Sequence, residues 1–329
     1  MAVHEDGRHL VRAVESVLNQ RDVDVQLVLS LVSPASRLGA YADRLVEREL
    51  RVEVVRVPGA TEGQALEAGF QAARGGAILV LDQDDWITPG LVEAMTLMRE
   101  HRADLVCLPC NQRRASAQVW SGPESFRTGA AELVESGELL DPHGKIVRSR
   151  LISGQGLHLG SPSFMMGYIE GVSVAACAAG PCYRTVPTAR DGRGAFNPEL
   201  FADCEREHER LLALYRRWGL ERDNASLVAL HRRYYRQIIA CVRNASLGTG
   251  RLSSIERRER VQDMLDSAST RATVELLKPA AKELGHELAT LFPLIARRDA
   301  AACGLRVRLQ DMGRRMRMPL VWAASLARR

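Results

Sequence analysis

Nothing in this 329-residue chain approaches the roughly twenty consecutive apolar residues that span a bilayer. The C-terminal apolar run, MPLVWAASLA from Met318, is only about ten residues long. Zinc-finger spacing is absent, and no aromatic-plus-basic RNA motif accompanies the mild net charge of +5 and pI near 8.9. Nucleic acid is therefore not expected as a partner, whereas a small positive excess suits anionic small molecules or membrane surfaces. Cys107-Leu-Pro-Cys110 has redox or zinc spacing but no second pair to complete a zinc site. The seven cysteines are an odd number with no secretory apolar region ahead of them, which predicts plain thiols in a reducing cytoplasm. No internal repeat or low-complexity block is present either, and an apolar content of 46% marks a globular chain.

The most informative stretch is Ile78 to Trp86, ILVLDQDDW, four apolar residues running into three carboxylates. So apolar a run predicts a strand buried on both faces, with the acids where the chain leaves the core. In an open α/β sheet, ligands collect at that carboxyl end. Clustered carboxylates are hard oxygen ligands suited to Mg²⁺ or Mn²⁺, which in turn hold a diphosphate. The alternative is a solvated acidic loop with helix-capping aspartates. Thr88 and Pro89 read as N-cap and first helical residue, and Leu91, Val92, Met95 and Met98 as a helical stripe. Upstream, Thr61-Glu62-Gly63-Gln64 has a capping-box pattern opening a second helix, preceded by the strand Val52 to Val57.

In this order of strand, helix, strand, acids and helix, the chain resembles the family 2 inverting glycosyltransferases of the GT-A fold. The segments that carry the likeness are Ala65 to Gly90, Ala13 to Gln20 (AVESVLNQ) and, more weakly, His143 to Ile152 (HGKIVRSRLI). The resemblance implies an α/β fold with a mainly parallel sheet, helices on both faces and a helical C-terminal region. It implies a nucleotide-diphosphate sugar donor contacted by Asp82, Asp84 and Gly63, an ion (Mg²⁺ or Mn²⁺) on Asp84 and Asp85, and a glycan or small-molecule acceptor. The family's general base lies on a Glu-Asp pair. Between Lys145 and Asp191 the sole acid is Glu170, which is therefore the candidate catalytic base.

Three departures favour an alternative, a non-catalytic GT-A-like binding or partner protein. Ahead of the first helix only Ala2 and Val3 remain of an apolar strand, from either a very short strand or a truncated start. Leu31, Val32 and Ser33 stand where the family carries nucleobase-contacting aspartates, and the Glu-Asp pair is absent along with the helix that normally follows it. A nucleotidyltransferase would need a glycine-rich, basic phosphate loop after the first strand, which is lacking.

Other expected strands are Val25 to Val32 and Leu105 to Leu108. Residues 111–144 read as polar loop with a short helix near Ala130 to Ser136, and from Asp191 onward the pattern becomes helical. This divides the chain into a nucleotide-sugar-binding domain, 1–190, and a helical region, 191–329. His208 and His231 read as solvated or core histidines. The basic end, with Arg306, Arg308, Arg314, Arg315, Arg317 and Trp322, fits either a peripheral membrane contact or a docked final helix with solvated arginines.

Overall fold

The computed structural model describes residues 1–4, 8–34, 36–110, 114–186, 195–250 and 252–326, with side chains described only as far as residue 313 of the last helix. The chain divides into two compact units, Met1–Pro187 and Thr188–Arg329.

The first unit alternates strands and helices. In chain order these are β1 (Ala2–Val3), α1 (Leu10–Leu18), β2 (Leu27–Leu31), α2 (Arg37–Val46), β3 (Val52–Arg56), α3 (Glu62–Ala72), β4 (Ala77–Leu79), β5 (Trp86–Ile87), α4 (Leu91–Glu100) and β6 (Leu105–Cys107). There follow β7 (Gln118–Ser121), α5 (Pro123–Ser136), β8 (Lys145–Arg148), α6 (Ser149–Gly154), α7 (Phe164–Glu170), β9 (Val174–Cys177) and β10 (Tyr183–Arg184). β1, β2 and β3 form a parallel sheet. A second sheet has the order β4-β8-β6-β9-β7, in which β4, β6 and β9 run one way and β8 and β7 the other. All five residues of β2, LVLSL, are buried, Ser30 among them, as expected of a strand that is apolar apart from that serine.

β1 and β4 are edge strands of separate sheets. An apolar cavity of about 360 Å³ is lined by residues of both sheets, among them Met1, Val28, Ile78 and Leu79, and by Phe70 of α3 and Met95 of α4. The Met1 amino group, buried and donating to the Val28 carbonyl at 3.0 Å, has its pKa lowered to about 6 by that burial.

Several local expectations are met in kind and adjusted in detail. Thr61 and Gln64 exchange both bonds of a capping box. α4 begins at Leu91 rather than Pro89, and the Thr88 hydroxyl donates to the Pro181 carbonyl at 3.0 Å. The stretch read as polar loop contains β7 and a fourteen-residue α5. Gly129 makes that packing work, since a Cβ there would lie 2.1 Å from Trp120 Nε1. α7 ends at Glu170, and residues 171–173 lead directly into β9 with no further helix between them, as expected.

The second unit is helical: α8 (Leu200–Arg217), α9 (Asn224–Leu247), α10 (Ser254–Asp266), α11 (Ala268–Leu277), α12 (His286–Ala289), α13 (Phe292–Ala296) and α14 (Ala300–Leu326). The start signals are side-chain caps. The Asp223 carboxylate accepts from Ser226 N, and Ser253 with Glu256 forms a second capping box. α9 is the hub, burying Tyr234, Tyr235, Ile238, Ile239, Cys241, Val242 and Ala245. His208 and His231 are core residues: the His208 ring stacks on Tyr234 at 4.2 Å and meets the His231 ring edge-on at 4.7 Å.

No helix among the described residues is long and apolar enough to cross a membrane. Arg306 and Arg308 are exposed on α14, beside exposed Leu305, Leu309 and Met312. The side chains of Arg314, Arg315, Arg317 and Trp322, and residues 327–329, lie outside the described residues.

Candidate active site

The acidic elbow leaves the carboxyl end of β4 and is a tightly bonded turn. Val80 still bridges His143 in parallel, and Asp85 N donates to the Asp82 carbonyl at 3.2 Å. Asp84 N donates to Asp82 Oδ1 at 2.8 Å, and Asp84 Oδ1 accepts from His9 N at 3.0 Å, which ties the elbow to the segment leading into α1. Gln83 is buried and accepts from His4 N at 2.7 Å.

Asp85 plays a different part from its neighbours. One of its oxygens accepts from Tyr183 OH at 2.9 Å and the other from Val186 N at 3.1 Å. Tyr183 OH also accepts from Asp82 N at 3.3 Å, so the phenol clamps both ends of the turn. Burial is the largest influence on Asp85 and, with the Asp82 charge, raises its pKa, against the pull of the two donors. Asp85 is thus a bracing residue, both of whose oxygens are engaged inside the protein. That weighs against its expected role as a metal ligand.

The donor set the fold assembles is different: Glu62, Asp82 and His143 each offer a ligand atom, all within 4.8 Å of one another. They line a cavity of about 50 Å³ together with Ala2, His4, Leu66, Leu81 and Gln83. Glu62 arrives on the first turn of α3, fixed by the Thr61 cap, and His143 arrives through its bridge to Val80. Asp141 accepts from both the backbone N and the Nδ1 of His143, at 2.9 and 2.7 Å, leaving Nε2 on the Glu62 side at 3.8 Å. A ring nitrogen oriented by an outer carboxylate is the usual arrangement of a metal-binding imidazole. Burial alone would lower the His143 pKa, but the Asp141 bond and the surrounding Asp141, Asp82 and Glu62 charges raise it. Asp141 is held down to about 2; its burial pushes the other way but yields to the bond and charge of His143.

Two further expected site residues are Gly63, next to Glu62 on α3, and Glu170. Gly63 serves backbone packing, since a Cβ there would lie 2.4 Å from the Gly160 carbonyl oxygen. Glu170, exposed at the end of α7, lies on the opposite rim of the sheet from the elbow. It precedes β9 by a few residues, and the amino ends of β6 and β9 are joined there by Asp104, whose Oδ2 accepts from Ser173 N and Val174 N at 3.0 and 3.3 Å. Because β4, β6 and β9 run in the same direction, that rim is opposite the one carrying Asp82 to Asp85. Sequence reasoning did not single out Glu62 or His143; the Asp-x-His spacing of Asp141 and His143 is a faint signal that could have suggested the histidine, and none marks Glu62.

An α/β unit with acidic side chains at the carboxyl rim of its strands belongs to the class of folds that bind their ligands at that rim. Residues 1–165, just over half the sequence, match the family model Glycosyl transferase family 2, and the chain belongs to that family. Its GT-A fold matches the crystal structure of S. aureus TarS 1-349 with a TM-score of 0.61 at 13% identity, covering 95% of this chain and 90% of that one. The TarS 1-349 complex with UDP-GlcNAc gives 0.62, also at 13%. At such identity the likeness is one of fold alone. The provisionally named glycosyltransferase EpsH of Bacillus subtilis (strain 168) is 27% identical over 111 residues. That match spans 34% of this chain and about a third, 32%, of EpsH.

Proposed function

We propose that the chain transfers a sugar from a nucleotide-diphosphate donor to a hydroxyl of a glycan or small molecule, with inversion and with a divalent ion. The observation that carries this reading is the convergence of Glu62, Asp82 and His143 on a small cavity beside the acidic elbow, within the family-2 segment. Those three residues would hold the ion, and Asp84, fixed in the same turn by His9 N, would contact the donor with Asp82. Two carboxylates with an imidazole favour Mn²⁺ over Mg²⁺, which prefers oxygen ligands alone. When bound, the ion supplies countercharge to the departing diphosphate. The protein's own part is to hold that turn rigid through Tyr183 and Asp85, so that the carboxylates need no reorganisation as charge develops.

Inversion requires a base on the far face of the sugar. Glu170 is on the other rim, and of the described acids beside the elbow Glu62 is assigned to the ion and Asp141 to His143, so none of these three is assigned as the base. The same placement of Glu170 favours the second reading, a binding protein that keeps the donor site without turnover. Peripheral contact with an anionic membrane, from the cytoplasmic side, is supported by the exposed Leu305, Leu309 and Met312 beside Arg306 and Arg308.

Calorimetric titration of the full chain with a panel of nucleoside diphosphates, with and without Mn²⁺, tests the donor site. Metal-dependent binding is expected, and silence across the panel would sink both readings. Release of nucleoside diphosphate from a bound donor sugar, followed over hours with candidate acceptors, then separates transferase from binder.

A further inference from the structure

α8 and α9 form a helical hairpin whose connection is residues 218–223. Their contacts follow an antiparallel ladder away from that turn: His208 stacks on Tyr234, then Cys204 meets Cys241, and near the open end Asn244 Nδ2 donates to the Asn197 carbonyl at 2.7 Å. Cys204 and Cys241 face each other with their sulfurs 3.9 Å apart, and Cys241 is the donor in that contact. Both are free thiols, Cys241 fully enclosed and Cys204 retaining 8% exposure.

We propose that Cys204 and Cys241 are a redox-operated cross-link that closes the open end of the α8–α9 hairpin when a low-molecular-weight disulfide is present. Two features set the order of events. Cys204 is the less enclosed residue of the pair, which makes it the first to meet a reagent in this scheme, and the hydrogen bond it accepts from Cys241 lowers its pKa, favouring the nucleophilic thiolate. The Cys204 thiolate attacks the small disulfide RSSR, forming Cys204–S–SR and releasing RS⁻. The Cys241 sulfur, losing its proton to solvent, then attacks Cys204 Sγ and expels the second RS⁻. Overall, two protein thiols are oxidised and one RSSR is reduced to two RSH. The sulfurs approach by about 1.9 Å to reach a bond of about 2.0 Å. Because the link sits far from the hairpin turn, it encloses both facing helix segments and removes much of the freedom of the unfolded hairpin.

The test is incubation of the full reduced chain with oxidised glutathione, followed by intact mass and non-reducing peptide mapping. The expected product has lost two hydrogens, carries a peptide joining residues 204 and 241, and melts roughly 5–10 °C higher than the reduced chain, reversibly with dithiothreitol. Cys241→Ala should stop at the glutathione adduct on Cys204, and Cys204→Ser should leave Cys241 unreacted. An unmodified Cys204, or a cross-link that instead joins Cys107 to the neighbouring-strand Cys177, would overturn the assignment. So would a cross-linked chain whose melting point does not rise.

Discussion

The acidic elbow of the first unit and the histidine nest of the second handle buried polar groups in opposite ways. At the elbow the polar atoms find partners: Asp82, Asp84 and Asp85 are bonded to Tyr183, His9, Val186 and one another. In the nest, His208 is fully buried with neither ring nitrogen hydrogen-bonded, and His231 has only Thr273 at 2.8 Å. The first arrangement stabilises charge at a rim. The second tolerates imidazoles only while they are neutral. A site built for ligand chemistry and a core that merely contains titratable groups are therefore told apart by their partners, and by the direction in which protonation moves each.

The largest expected effect lies in the nest. Burial lowers His208 to about 3 and His231 to about 4, from an ordinary 6.5. In acid the unfolded chain then binds more protons than the folded one. The stability associated with neutral imidazoles is complete above pH 6.5 and is lost as pH falls from there towards 4 and then 3. Each histidine contributes a slope of up to about 1.4 kcal/mol per pH unit across that window. His208→Phe keeps a ring to stack on Tyr234 and should roughly halve the slope of unfolding free energy between pH 6 and 4. An unchanged slope in urea titrations would move the acid sensitivity to other groups.

Next in size is the elbow. Glu62→Gln, Asp82→Asn and His143→Gln should each weaken Mn²⁺-dependent nucleoside diphosphate binding by about tenfold to a hundredfold, as should Asp141→Asn acting through His143. Asp85→Asn, by contrast, should leave that affinity within about threefold and lower stability by about 1–2 kcal/mol in urea, because it weakens the hydrogen bonds of Tyr183 and Val186. If Asp85→Asn instead abolished the metal dependence while His143→Gln did not, the ion would belong on the aspartates that the sequence singled out.

That contrast shows what was legible in the residues. β2, β3, β6, α3 and the position of the elbow followed from apolar runs and cap residues, which are local patterns. The partners of the elbow were not local. Glu62 and His143 meet across 81 positions because a helix cap orients one and a single bridge to Val80 seats the other. Asp85 read as a ligand because its bond to Tyr183, 98 positions away, has no sequence signature. Glu170 read as a base because it was the sole acid in its segment, which says nothing about the rim it occupies. Of α5 only the end from Ala130 was expected as helix; its first half, PESFRTG, carries little periodic apolar signal, while in the fold Gly129 makes room for Trp120.

The smallest expected effect is at Glu170. Exposed at the end of α7 and on the rim opposite the elbow, it is too far from a donor bound at Asp82 and Asp84 to take a proton from an acceptor there. Glu170→Gln should therefore leave both donor affinity and any turnover within about twofold of the parent chain. Removal of a true general base lowers turnover by roughly 10²–10⁴-fold with donor binding intact, so the two outcomes do not overlap. A fall of that size would mean that α7 reaches the donor in the working enzyme. It would also erase the functional distinction between the two rims and restore Glu170 as the base.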